Sequence, residues 1–255
     1  WKPDRIVYDM IDAPLHFAPV PPRLVPHWEG LLRRADRVIV TSEPLAALAS
    51  AGGASSPLLV GNGVEAARFD PARVVPASLP GDPSSPVLGY VGSLHSWFDL
   101  DLAASLAAAL PGARVVLVGP APPDTADALR RLAASRPNLH WIGPKPYTDV
   151  PAIVRAFRVG LIPFRRTPLT EAVNPVKLYE YAAAGVPTVT TRFSDEVAGW
   201  GEAVRVADGP EAFAAACRDL LAAPPAEEAL LAFARRHDWD AIAARFNALC
   251  LGDAA

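Results

Sequence analysis

The sequence predicts an α/β protein built on a doubly wound parallel sheet. Short apolar runs alternate with helical patterns along almost the whole chain. The runs are apolar throughout, without polar alternation, as happens when helices cover both faces of a sheet. Glycine or proline closes four of them, at Gly92-Ser93, Gly119-Pro120, Gly143-Pro144 and Pro163-Phe164. Sheets of this kind bind ligands beyond the carboxyl ends of their strands, and such residues let a ligand come close. Each turn also serves simply to end a strand.

In chain order, Arg5–Asp9 reads as a strand, Arg23–Ala35 as a helix and Arg37–Thr41 as a strand. Ser42 before Glu43-Pro44 marks the start of a short helix, Glu43–Ala51. Pro57–Val60 is a short strand ahead of Asn62-Gly63-Val64. Pro71, Pro76, Pro80, Pro83 and Pro86 interrupt a stretch of little periodicity, which reads as an interdomain linker. A more regular series follows, with strands at Val87–Val91, Arg114–Val118, Leu139–Ile142, Val159–Ile162 and Thr188–Thr191. Helices at Phe98–Leu110, Thr125–Ser135, Asp149–Phe157 and Asn174–Gly185 separate them. A weaker strand, Ala203–Val206, leads into helices Pro210–Ala222, Ala226–Arg236 and Trp239–Leu251.

Composition excludes several classes. Of 255 residues, 51% are hydrophobic and 20% charged, enough apolar material for a folded core. A net charge of −3, with basic pairs scattered at Arg33-Arg34, Arg130-Arg131, Arg165-Arg166 and Arg235-Arg236, gives no stripe for a nucleic-acid partner. Cys217 and Cys250, both inside helical patterns, read as buried free thiols in a reducing compartment. No apolar run approaches the ~18 residues that a membrane span needs. The 28 prolines fall mostly between periodic segments and punctuate loops.

The most informative stretch is Asn174-Pro-Val-Lys-Leu-Tyr-Glu-Tyr-Ala-Ala-Ala-Gly185. Asn174 suits an N-cap and Pro175 the first helical position. The N–H groups of Val176 and Lys177 then point out of the positive end, where a phosphate is favoured. Lys177 opposes the helix dipole unless something negative sits before it. Glu180, three residues on, lies on nearly the same face and could reach a sugar hydroxyl. The same residues also fit a plain capped amphipathic helix with a surface Lys-Glu pair.

Asn62-Gly63-Val64 with Phe69, then Gly89-Tyr-Val-Gly92, Leu117-Val-Gly119, Ile142-Gly143 and Asn174–Gly185, resemble the donor-binding half of GT-B fold glycosyltransferases. The nearest pattern is group 1 (family 4), in the branch that builds bacterial surface polysaccharides. The resemblance covers nearly the whole chain in order. It implies a partial N-terminal, acceptor-side Rossmann-like domain at 1–75, truncated at its amino end. A nucleotide-sugar-binding Rossmann-like domain at 76–236 follows, then a terminal helix at 237–255 crossing back to the N-terminal domain.

The resemblance also implies function. The substrate would be a UDP- or GDP-sugar, transferred with retention to a saccharide or lipid-linked acceptor, with no metal and no cofactor. Glu180 matches the second Glu of the family's Glu-x7-Glu motif, which binds the donor ribose. Ala172 stands where the first Glu belongs, with Glu171 one residue out of register. The backbone around Val173, Asn174, Pro175 and Val176 is therefore expected to carry the sugar contact. The loop Gly92-Ser93-Leu94-His95 lacks the basic residues usual there. Lys177, with Arg165 and Arg166 as lesser candidates, is expected to replace them, although the two arginines also suit a plain surface role. Gly119, Gly143 and Pro144 complete the expected donor-binding set, and the loop Gly143–Tyr147 is expected to select the base.

Asp99-Leu-Asp101 has the spacing of a metal motif but fits a helix start. Asp12, near Asp9 at a strand's carboxyl end, is the catalytic candidate on the acceptor side, paired with Lys177, and equally fits a loop-initiating aspartate. The chain is expected to be cytoplasmic, peripheral at the inner face of the membrane, with a partner chain supplying the missing N-terminal part. A donor-binding subunit without catalysis, or an inactive remnant, is the alternative.

Overall fold

The computed structural model of the protein describes residues 4–17 and 20–251. Positions 1–3, 18–19 and 252–255, which belong to the expected segments 1–75 and 237–255, lie outside the described residues. In chain order the elements begin with β1 (Val7–Met10), α1 (Leu24–Arg34), β2 (Arg37–Val40), α2 (Glu43–Ala51), β3 (Leu58–Leu59) and α3 (Ala66–Phe69). Next come β4 (Val87–Val91), α4 (Leu100–Ala109), β5 (Arg114–Val118), α5 (Pro123–Ser135), β6 (Leu139–Trp141), α6 (Val150–Arg155) and β7 (Val159–Ile162). The series ends with α7 (Pro168–Glu171), α8 (Val176–Ala183), β8 (Thr188–Thr190), β9 (Val204–Val206), α9 (Pro210–Ala222), α10 (Glu227–Arg236) and α11 (Trp239–Leu251).

Contacts divide the chain into two units. The first comprises Trp1–Gly63, Thr167–Pro175 and Trp239–Ala255; the second comprises Val64–Arg166 and Val176–Asp238. The first boundary therefore lies at 63/64, ahead of the proline-rich stretch, and the terminal helix groups with the first unit.

In the first unit β1, β2 and β3 form a parallel sheet in that order, with Val7 opposite Arg37 and Ile39 opposite Leu58. Successive side chains of β2 point to opposite faces. Val38 and Val40 enter a core with Met10, Leu32, Leu45, Ala49 and Ala172. Ile39 enters a second cluster with Val60 and Cys250, flanked by Ile242, Phe246 and Leu249 of α11. Both faces are covered, which is why the run Arg37–Val40 shows no polar alternation. Ser42 caps α2 by accepting the Leu45 N–H at 3.3 Å and donates to the Ala172 carbonyl at 2.8 Å.

The second unit holds a six-stranded parallel sheet in the order β6-β5-β4-β7-β8-β9. The direction of winding reverses between β4 and β7, the topological switch point where such sheets bind ligands. Gly89 of β4 and Gly160 of β7 sit opposite each other. A Cβ at Gly89 would lie 2.2 Å from the Phe157 ring, and one at Gly160 would lie 2.3 Å from the Tyr181 ring. The two missing side chains let Phe157 and Tyr181 pack edge-on across the sheet, ring centres 6.2 Å apart. The Tyr181 hydroxyl also accepts the Val91 N–H at 3.0 Å. These contacts fix α8 on the sheet. Lys177, one turn before Tyr181, is thereby directed to the carboxyl ends of the strands.

Several expected elements are refined. Phe98–Leu110 begins at Leu100 because Asp99 caps it, accepting the Leu102 N–H at 3.1 Å. Asp149–Phe157 is a 3-10 turn, Tyr147–Asp149, followed by α6. Asn174–Gly185 is helical over Val176–Ala183. Pro44, Pro123, Pro151, Pro168 and Pro210 sit in the first turns of helices, so part of the proline excess starts helices as well as punctuating loops. Helix α7, closed by a Thr167/Thr170 capping box, and the 3-10 segment Glu196–Ala203 have no counterpart among the expected elements.

Candidate donor site

Three loops meet at the ligand end of the second unit. The Gly92 N–H donates to Val118 O at 2.9 Å, Leu94 N–H to Pro120 O at 2.9 Å, and Gly119 N–H to Gly143 O at 2.9 Å. The loops lie so close that a Cβ on Gly119, at φ 140°, would stand 2.0 Å from the Gly92 carbonyl oxygen. Only glycine fits there. The segment after β7 is stitched to the segment after β4 by a bridge between Phe98 and Phe164. Arg165 N–H donates to Trp97 O and Asp99 N–H to Pro163 O, both at 2.8 Å.

Lys177 rises between these segments. Its Nζ lies 5.5 Å from the centre of the Tyr90 ring and 5.4 Å from that of Phe164. A Cβ on Gly92 would collide with its Cε at 2.5 Å. Tyr90 is itself buried against Phe98, ring centres 4.7 Å apart, and donates its hydroxyl to Ser93 O at 2.9 Å. Aromatic faces support a cation weakly and do not neutralise it. Among the described residues the Lys177 ammonium has no hydrogen bond or ion pair. Burial pulls its pKa down, and the charge of Glu180 acts the other way. A partly desolvated cation thus stands in the first turn of α8, whose dipole also disfavours it.

Glu180 is 7% exposed and accepts one hydrogen bond, from the Tyr147 hydroxyl to Oε1 at 2.9 Å. Burial pushes its carboxyl above the usual range, while the Tyr147 bond and the Lys177 charge hold it down. The second unit therefore brings together Lys177, Glu180, Gly92, Ser93, Gly119 and Gly143, with Val176 exposed as the first residue of α8. Tyr147 belongs to this group through Glu180. The sequence marks it only as the end of the Gly143–Tyr147 loop, because its partner lies 33 positions away.

Other expected residues have different surroundings. His95 is exposed, stacks on Trp97 with ring centres 4.7 Å apart, and meets Ser96 Oγ at 3.1 Å. Arg165 pairs with Asp101 at 3.3 Å and Asp99 at 3.6 Å, and Arg166 pairs with Asp195 at 3.0 Å. Pro144 is exposed beside Gly143. Val173, Asn174 and Pro175 group with the first unit. There Asn174 Oδ1 accepts the Asn62 N–H at 3.0 Å, and its carbonyl accepts from Asn62 Nδ2 at 2.6 Å. Asp12, also in the first unit, is half-buried, which raises its carboxyl pKa. Among the described residues no group of three or more His, Cys, Asp or Glu is placed to hold a metal ion. Among the described residues no helix is long and apolar enough to cross a membrane either.

A parallel sheet wound 3-2-1-4-5-6 beside a second parallel α/β unit is a doubly wound architecture, and the solved structures similar to it are glycosyltransferases of the GT-B fold. The chain belongs to the glycosyl transferases group 1 family, whose sequence model matches residues 85–223, more than half its length. It is 31% identical over 133 residues to TuaH of Bacillus subtilis (strain 168), a glycosyltransferase assigned to teichuronic acid biosynthesis. That match covers 52% of this chain and 33% of TuaH, so the chain matches about a third of the length of that relative. Among solved structures, Anabaena Alr3699/HepE in complex with UDP and glucose aligns at a TM-score of 0.75 with 17% identity, over 96% of this chain and 71% of that one. A glycosyltransferase from Rickettsia africae ESF-5 aligns at 0.76 with 12% identity, over 97% and 71%. Sucrose-phosphate synthase from Thermosynechococcus elongatus aligns at 0.70 with 19% identity, over 95% and 66%. At these identities the structures establish the fold.

Proposed function

We propose that this chain binds a UDP- or GDP-sugar at the carboxyl ends of β4 and β7 and transfers the sugar, with retention and without a divalent metal, to a saccharide or lipid-linked acceptor. One observation carries this reading. Lys177 has no partner among the described residues, yet it is held over Tyr90 and Phe164 in the first turn of α8. A cation so placed calls for an anion, and a diphosphate satisfies both the ammonium and the free N–H groups of the helix.

Breaking the bond between sugar and diphosphate leaves negative charge on the phosphate. Lys177 and the first-turn N–H groups of α8 stabilise that charge as it forms, and they do so from fixed positions. Partial removal from water strengthens the attraction. Glu180, buried one turn further on, accepts a ribose hydroxyl and so fixes the nucleoside relative to the lysine. Gly92, Ser93, Gly119, Gly143 and Pro144 bring backbone close to the donor. His95 and Arg165 border it, with Arg165 available only on leaving Asp99 and Asp101. Asp12 in the first unit is the candidate for orienting the acceptor hydroxyl or taking its proton. The UDP complex of HepE and the assignment of TuaH support a nucleotide-sugar donor and a cell-envelope polysaccharide product. Such a product is consistent with work at the inner face of the membrane.

Ala172 favours a second reading. Eight residues before Glu180, it is a buried apolar residue packed in a core with Leu45 and Ala49, so no carboxylate stands at that position. A donor-binding subunit whose catalysis needs another chain would bind nucleotide sugar without transferring or hydrolysing it. Calorimetric titration with UDP and GDP tests the site common to both readings. Lys177→Met should weaken the preferred nucleotide about 100-fold, or about 2.7 kcal/mol. Glu180→Ala should weaken nucleoside affinity by about tenfold. Unchanged affinity in both variants would remove the site assignment.

A further inference from the structure

We propose that Tyr147 is a positioning residue for the donor ribose. Its hydroxyl holds one oxygen of Glu180 so that the other is presented to the ribose hydroxyls, and the pair thereby selects ribonucleotides over deoxyribonucleotides. This rests on the ribose role of Glu180 proposed above and extends it to a residue on a different loop.

Tyr147 opens the 3-10 turn Tyr147–Asp149, at the end of the loop that follows β6. The residue is 51% exposed, yet its hydroxyl donates to the buried Glu180 Oε1 at 2.9 Å. Two neighbours on α3 fix the ring. Phe69 meets it edge-on at 6.5 Å, and the Arg68 guanidinium lies 5.4 Å from its centre. Arg68 is in turn held by Glu65 at 2.7 Å. An exposed aromatic so braced is a fixed part of the site.

The second oxygen of Glu180 is the telling atom. Among the described residues Oε2 has no hydrogen-bond partner, although the residue is more than nine-tenths buried. Oε2 is not among the buried unpaired side-chain atoms, so it opens to solvent, and a ligand hydroxyl can take the place of water there. With Oε1 tied to Tyr147, the carboxylate cannot rotate freely, and Oε2 keeps one direction. A hydroxyl arriving from a ribose completes the set, and a deoxyribose cannot. The ionisable groups facing Glu180 are Lys177 and Tyr181 on α8 and Tyr147 on its loop, with Arg68 of α3 and Glu65 just before it acting on Tyr147.

The test compares UDP with 2′,3′-dideoxy-UDP (or the guanine pair where the chain prefers GDP) in the full chain, in Tyr147→Phe and in Glu180→Gln. Tyr147→Phe keeps the ring against Phe69 and Arg68 and removes only the hydroxyl. It should weaken UDP about tenfold while leaving the dideoxy compound within about twofold, so the ratio of the two collapses. It should also raise the pH at which UDP affinity fades on the acid side, because the ionised carboxylate has lost a hydrogen bond. A purely structural tyrosine would weaken both ligands equally and leave that pH unmoved, and this result would overturn the proposal. Glu180→Gln separates the two levels. If it leaves the ribo/dideoxy ratio intact, the ribose role itself is wrong. If it collapses the ratio and Tyr147→Phe does not, only the role of Tyr147 falls.

Discussion

Two basic side chains in the second unit are drawn away from water and treated in opposite ways. Arg114, at the start of β5, is 8% exposed. Its guanidinium donates to Leu79 O at 3.0 Å, to Pro80 O at 3.1 Å and twice to Ser85 O at 3.1 and 2.8 Å. Every one of these acceptors belongs to the proline-rich stretch before β4, so the arginine clasps that stretch to the sheet. Lys177 has the faces of Tyr90 and Phe164 and, among the described residues, no hydrogen bond or ion pair. A charge whose partners are all supplied by its own chain fixes structure; one left open is kept for something else. The same contrast separates Asp195, paired with Arg166, from Glu180, whose Oε2 is unused.

The strongest way to break this contrast is to remove the clasp. Arg114→Met strands the carbonyls of Leu79, Pro80 and Ser85 and should cost about 3 kcal/mol of stability by urea denaturation. Nucleotide affinity of the folded protein should stay within about twofold. A variant that kept its stability and lost its nucleotide would reverse the roles assigned to the two cations.

Glu180 sharpens the comparison from the other side. Burial raises its carboxyl pKa, so the folded chain holds that proton more tightly than the unfolded chain does. Stability therefore falls as pH rises from the ordinary glutamate range through the raised value. Glu180→Gln lacks this fall. Its stability relative to the parent should improve as pH rises out of the ordinary glutamate range, while the proposed ribose contact weakens. A Gln variant that lost stability relative to the parent over the same interval would contradict the sign.

The smallest effect belongs to Arg165. Its exposed pairs with Asp99 and Asp101 should be worth less than about 0.5 kcal/mol. Arg165→Ala should change nucleotide affinity less than about threefold. A larger loss would mean that the arginine leaves those carboxylates for the diphosphate.

Much of this was legible in the chain because it is local. Lys177, Glu180 and the helix they share lie within a few residues of one another, and each glycine turn comes just after its own strand. The parallel sheet, and with it the ligand end of its strands, followed from the strand–helix alternation, whereas the strand order came only with the structure. The Tyr147–Glu180 bond spans 33 positions and the Arg114 clasp up to 35, and no single-sequence periodicity reports such pairs. The arginine pair Arg165-Arg166 illustrates the reverse. Its place after a strand suggested a phosphate contact, whereas Asp99, Asp101 and Asp195, remote in sequence, engage it. The 63/64 boundary was hidden for a similar reason. Val64 pairs with Asp238 and donates its N–H to His237 O at 2.9 Å, which assigns the chain from Val64 onward to the second unit before the prolines begin.

The most direct test of Lys177 as the diphosphate cation is one variant read in two ways. Lys177→Met keeps the apolar stem between Tyr90 and Phe164 and removes the charge. The expected result is nucleotide affinity lowered about 100-fold, with thermal stability unchanged or slightly raised. Full nucleotide affinity together with a loss of stability would show that Lys177 serves the fold and that no diphosphate binds at this helix.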